Sequence, residues 1–137
     1  MKNSTVNDCK IIQLSKIHNR AGNITIIENN LDIPFEVKRI YYLYDIPSNE
    51  TRGGHGHREL YQLVIGASGS FYINLNDGVN DKKIFLNRPD VGLLIVPGIW
   101  RDLSDFSSGS VCLVFASKIY SESDYIRNYQ DFLNYKK

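Results

Sequence analysis

Cysteine is scarce in this chain. The two that occur, Cys9 and Cys112, are too few for a disulfide framework and form no C-x-x-C pair. A reducing compartment is the expectation. Charge of either sign is not in excess: the net charge is +1, so no broad field invites nucleic acid or a membrane surface. Long hydrophobic runs are missing, and the longest apolar stretches are far too short to span a bilayer. Met1-Lys2-Asn3-Ser4-Thr5 leads into polar sequence rather than an apolar leader. Together these absences point to the cytoplasm. There is no internal repeat and no low-complexity segment.

What remains is an ordinary globular composition of 137 residues, 42% hydrophobic and 23% charged, the size of one domain. Short apolar runs recur between turn residues. Strands are expected at 11–13, 24–27, 37–44, 52–57, 61–65, 71–75, 82–86, 93–96 and 111–116. The turns between them carry Asp45 to Asn49, Gly66 to Gly69, Asn76-Asp77-Gly78 and Pro97-Gly98. Many short strands with regular turns indicate an all-β sandwich or barrel. The end of the chain differs. Ser121 and Asp124 are spaced like a capping box. Tyr125, Ile126, Tyr129, Phe132 and Leu133 then line one helical face, so a C-terminal helix is expected over 121–137.

The chemistry is concentrated in Arg52-Gly53-Gly54-His55-Gly56-His57. Residues two apart on a strand share a face, so both imidazoles project together. Glycine is a poor strand former and fits where another group approaches the backbone closely. A histidine pair in a pocket can carry protons both ways at neutral pH, because an ordinary imidazole titrates near 6.5.

These residues resemble the cupins. His55-x-His57 is followed after four residues by Gln62, where cupins carry Glu, and Gln62 after six by Gly69. Gly92 precedes Pro97-Gly98 by about the second-motif spacing, but Trp100 and Arg101 stand where the last His would be. The framework is that of a cupin with its metal ligands depleted. An amide cannot supply the charge of a carboxylate, and the third histidine, His18, lies far away in sequence. Neither metal nor cofactor is expected.

Closer still, residues 35–101 resemble the dTDP-4-keto-6-deoxyglucose 3,4-ketoisomerases, the WxcM-like/FdtA-like sugar-nucleotide cupins. The matching segments are Lys38 to Pro47, Arg52 to His57, Leu60-Tyr61-Gln62, Asn76-Asp77-Gly78 and Val96 to Leu103. The resemblance implies a cupin jelly-roll barrel with a C-terminal helix, forming one domain over 1–137. It implies a homodimer in which an N-terminal arm within 1–30 is exchanged. It implies a dTDP-linked 4-keto-6-deoxyhexose as substrate and His55 and His57 as catalytic residues, in a route to surface glycans.

Supporting roles follow from side-chain chemistry. Arg52 suits a diphosphate, with Arg39 as a further basic contact. Gln62 suits a sugar hydroxyl or keto oxygen. Tyr42 and Tyr44 share one strand face and Tyr41 takes the other. Tyr42 is expected as a proton source and Tyr44 as a substrate contact, although alternation does not say which face is inside. Trp100 and Arg101 are expected at the barrel mouth, with Trp100 either a platform for thymine or simple packing. Relatives commonly carry Ala at the position of Gly56 and a bulky residue at that of Gly54, so a roomier pocket is expected here.

Overall fold

Alternation of apolar and polar residues sets the strands, as the computed structural model of residues 1–137 makes plain. In chain order they are β1 (Lys10–Gln13), β2 (Ile17–Asn19), β3 (Gly22–Ile24), β4 (Arg39–Leu43), β5 (Arg52–His57) and β6 (Gln62–Ser68). Then come β7 (Phe71–Asn76), β8 (Asp81–Leu86), β9 (Val91–Ile95), β10 (Trp100–Ser104), β11 (Val111–Ala116) and β12 (Tyr125–Ile126), before helix α1 (Tyr129–Lys136). The first sheet has the order β1-β9-β6-β11-β4, and the second β12-β5-β10-β7-β8. Every strand pair in both is antiparallel.

Two cores hold the sheets. β7 turns Phe71, Ile73 and Leu75 inward and leaves Tyr72, Asn74 and Asn76 half-buried. The inward residues meet Val64, Leu93, Ile95 and Cys112 of the facing sheet. β6 and β9 are apolar on both faces because they are covered on both. Their outer residues Leu63, Ile65 and Leu94 pack under Leu14, Ile33 and Phe35. That burial explains runs without alternation.

The all-β expectation holds, with one correction. No hydrogen-bonded strand pair joins the two sheets, so they form a two-sheet roll and not a closed barrel. β1 pairs with β9 of its own chain. The hairpin β2–β3 belongs to neither sheet, and its His18 ring meets only Asn23, at 2.6 Å. The strand expected over 24–27 ends at Ile24.

The C-terminal helix is shorter than expected and starts later. Ser121 makes no side-chain cap. Asp124 is taken up elsewhere, as described below. The N-cap is Asn128, whose side chain accepts from the Asp131 N–H at 3.0 Å. Phe132 is fully buried against β5 and β10. No helix is long and apolar enough to cross a membrane.

Candidate active site

A cavity of about 360 Å³ opens between the sheets, within the usual range for small-molecule sites. β5 brings Arg52 and His55 to it. These residues are three apart, an odd spacing that a regular strand would send to opposite faces. The β5–β10 register shifts between Arg101↔His55 and Leu103↔Arg52. Gly53 sits at this bulge with φ +73°, a conformation that disfavours side chains. The extra residue restores Arg52 to the face of His55.

The two imidazoles lie edge to face with ring centroids 4.9 Å apart. They are not equivalent. His55 lines the cavity, whereas His57 is wholly buried behind it. His57 Nδ1 lies 2.9 Å from Asp124 Oδ2. Tyr125 packs on both rings, 5.1 Å from His55 and 4.3 Å from His57.

Gln62, Arg101 and Tyr41 form a directed chain. Arg101 is buried and donates from Nη1 to Gln62 Oε1. A guanidinium only donates, so the Gln62 oxygen must face it and the amide nitrogen must face away. Gln62 Nε2 donates to the Tyr41 hydroxyl at 2.9 Å. The phenolic hydrogen stays free for a further acceptor in the cavity. Arg101 also donates to the Ile99 carbonyl, from Nη2 at 3.1 Å.

The motif positions at which cupins hold metal thus converge around a buried guanidinium. Its fixed positive charge opposes a cation there. His57 Nδ1 is also committed to Asp124. No group of three or more His, Cys, Asp or Glu side chains is placed to hold a metal ion. This residue set does not fit a bound metal.

Several expected contacts fall elsewhere. Tyr42 on the outer face of the first sheet and Tyr44 just beyond β4 are exposed, their rings tilted with centroids 5.7 Å apart, and Tyr41 takes the inner face. Trp100 does not line the cavity. It belongs to β10, and it packs under α1, 5.3 Å from Tyr129 and 5.7 Å from Phe132. Its neighbour Arg101 turns inward by alternation and sits deep in the cavity, not at the mouth. Gly54 and Gly56 do not widen the pocket. A Cβ on Gly54 would face Trp100, and one on Gly56 would lie 3.1 Å from Phe132. Gly56 makes room for the helix, whereas a side chain at Gly54 would meet only Trp100, at ordinary contact distance.

The sequence matches the WxcM-like, C-terminal family (FdtA) over residues 7–137. The chain belongs to this family. A TDP-4-oxo-6-deoxy-alpha-D-glucose-3,4-oxoisomerase of Aneurinibacillus thermoaerophilus is 42% identical over 126 residues, covering 92% of this chain and 91% of that protein. A 3,4-ketoisomerase from Helicobacter canadensis superposes with TM-score 0.92 at 46% identity, covering 94% of this chain and 97% of that one. A point variant of the 3,4-ketoisomerase QdtA from Thermoanaerobacterium thermosaccharolyticum, in complex with TDP-4-keto-6-deoxyglucose, superposes with TM-score 0.93 at 41% identity. It covers 95% of this chain and 94% of that one.

In this family member the cavity is strongly positive. Arg39, Arg52, Arg101 and Arg127 line it, and no carboxylate does. Arg127 is held by Glu122 at 2.6 and 2.8 Å, and lies over the Tyr125 ring. Burial, then Arg101 and His57, push the His55 imidazole from 6.5 down to about 2. Burial and the guanidiniums of Arg101, Arg39 and Arg127 act likewise on His57. The Asp124 carboxylate pulls the other way, but burial dominates and both rings are neutral near pH 7. Burial also raises the Tyr41 phenol, which therefore keeps its proton.

Unfolded imidazoles titrate near 6.5, so the unfolded chain binds more protons as pH falls and the fold loses stability there. Between about pH 7.5 and about pH 5.5 the expected loss is up to about 1.4 kcal/mol for each imidazole, about 3 kcal/mol together. Urea unfolding at the two pH values measures this, and equal midpoints would contradict it.

From sequence Tyr41 was one of three strand tyrosines with the inner face left open, and Asp124, Tyr125 and Arg127 were not singled out as site residues. For the last two a signal existed: Tyr125-Ile126-Arg127 has the period of a strand as much as that of a helix.

Proposed function

We propose that this chain is a 3,4-ketoisomerase acting on dTDP-4-keto-6-deoxyglucose by imidazole acid–base chemistry. The observation that carries the reading is elimination within the cavity. Among the lining groups, His55 alone offers the lone pair of a neutral imidazole as a base. No carboxylate is present. Burial pushes the Cys112 thiol up to about 12, and the arginines are cations.

The reading places the hexose in the cavity and runs the diphosphate out past Arg39, Arg52 and Arg127 at its rim. The diphosphate charge offsets these guanidiniums and Arg101, which raises the basicity of His55 when substrate is bound. His55 removes the proton on C3, alpha to the carbonyl. The C3–H electrons form the C3–C4 double bond, and the carbonyl electrons pass to the C4 oxygen. The free Tyr41 hydroxyl, polarised through Gln62 and Arg101, donates to that oxygen. Loss of the C3 hydroxyl proton and return of a proton to C4 leave the carbonyl at C3. His57 supports His55 as its relay partner. No cofactor or metal enters.

The proposal extends to a cytoplasmic homodimer with an exchanged N-terminal arm, supplying deoxysugars for surface glycans; the sequence resemblance supports this extension. A second reading, a dTDP-sugar 3,5-epimerase, draws on the His57–Asp124 pair, since epimerases back a single His with Asp. A third is a sugar-binding module without catalysis. Carbon NMR of dTDP-4-keto-6-deoxyglucose incubated with the protein separates them. A carbonyl at C3 is the expected product. A carbonyl retained at C4 with C3 or C5 inverted supports the epimerase, and an unchanged sugar supports the binding module.

A further inference from the structure

The fold treats the two ring nitrogens of His57 differently. Nδ1 lies 2.9 Å from Asp124 Oδ2, while Nε2 is buried and meets no partner. Asp124 is itself fixed. Its Oδ1 accepts from the Glu59 N–H at 2.7 Å, and its carbonyl accepts from the Arg58 N–H at 3.0 Å. The next residue, Tyr125, pairs with His57 in the β12–β5 ladder. The carboxylate is thus clamped to the end of β5 by contacts independent of the imidazole.

A carboxylate only accepts hydrogen bonds, so Nδ1 must carry the ring proton. A neutral imidazole has one N–H, and Nε2 is then a bare lone pair. We infer that Asp124 is a positioning residue, which locks His57 in the Nδ1–H tautomer and leaves Nε2 a bare acceptor on the ring packed against His55. The inference rests on the ketoisomerase reading only for the use made of that lone pair.

A plain structural tie between β5 and the C-terminal segment would need no particular tautomer, and Asp124→Asn separates the two. The Glu59 N–H is a donor and requires an oxygen opposite it. The Asn side chain must therefore turn its amide nitrogen toward His57. Nδ1 then becomes the acceptor, and the ring proton moves to Nε2. The change keeps shape and both hydrogen bonds but reverses the tautomer.

The test is nitrogen-15 NMR of the histidine rings in unliganded wild type and Asp124→Asn at neutral pH, with steady-state turnover of dTDP-4-keto-6-deoxyglucose. Wild type is expected to carry its His57 proton on Nδ1, and the variant on Nε2. In the variant kcat is expected to fall by about 10²–10⁴ with KM within about threefold. A wild-type ring protonated on Nε2, or on both nitrogens, overturns the inference. So does a variant with the reversed tautomer and undiminished kcat. The wild-type spectrum alone decides the tautomer should the variant not fold. It needs no turnover, so a wild-type protein that leaves the sugar unchanged contradicts the ketoisomerase reading and not the tautomer.

Discussion

Replacing His55 with Ala is expected to leave a folded protein that isomerises dTDP-4-keto-6-deoxyglucose at least about a hundredfold more slowly. General acid–base groups contribute about 10²–10⁴ to rate, and the cavity holds no understudy. His57 is wholly buried behind His55. Tyr41 is held in its protonated form by burial, and Asp124 faces the far side of His57. The substitution should not unfold the chain. The His55 side chain makes no hydrogen bond and sits in a cluster of guanidiniums that disfavours its charged form. Thermal unfolding run beside the assay checks this. Turnover at the wild-type rate removes His55 from the reaction.

The second large effect is on stability. Phe132→Ala is expected to cost about 3–5 kcal/mol, a large share of the stability of a typical domain. The ring is fully buried and packs on Trp100 and on the bare backbone of Gly56. Nothing nearby is free to fill the space, because Trp100 and Tyr129 already brace each other. The consequence reaches the active site. Asp124, Tyr125 and Arg127 lie between β11 and α1, and α1 anchors that segment to the second sheet. Urea unfolding should show the loss, with activity failing at lower temperature. A loss below about 1 kcal/mol would contradict this account of the helix.

Much of the fold was legible from sequence because turn residues punctuate the strands. β5 and β11 have the expected limits. β10 was not expected. Trp100-Arg101-Asp102-Leu103-Ser104 alternates correctly, but its inward set includes an arginine, which reads as surface. Tertiary context makes the difference, as Gln62 and Ile99 supply the acceptors that a buried guanidinium needs.

The site was legible in part for related reasons. The paired histidines follow from a period of two. For Tyr41, Tyr42 and Tyr44 that period fixes which residues share a face, but not which face is inside. The second sheet settles it by covering Tyr41 and leaving Tyr42 and Tyr44 outside. Ser121 to Asp124 has the spacing of a capping box, yet Asp124 has stronger partners in His57 and the Glu59 N–H. Local sequence cannot register a partner 67 residues away.

The central claim is that His55 is the base that removes the C3 proton, and that a solvent-exchanged proton returns to C4. Incubation in deuterated buffer, followed by NMR of product and recovered sugar, tests it most directly. The account predicts deuterium at C4 of the 3-keto product, none at C5, and neither label nor product with His55→Ala. Deuterium at C5, or full labelling with His55→Ala, would contradict it.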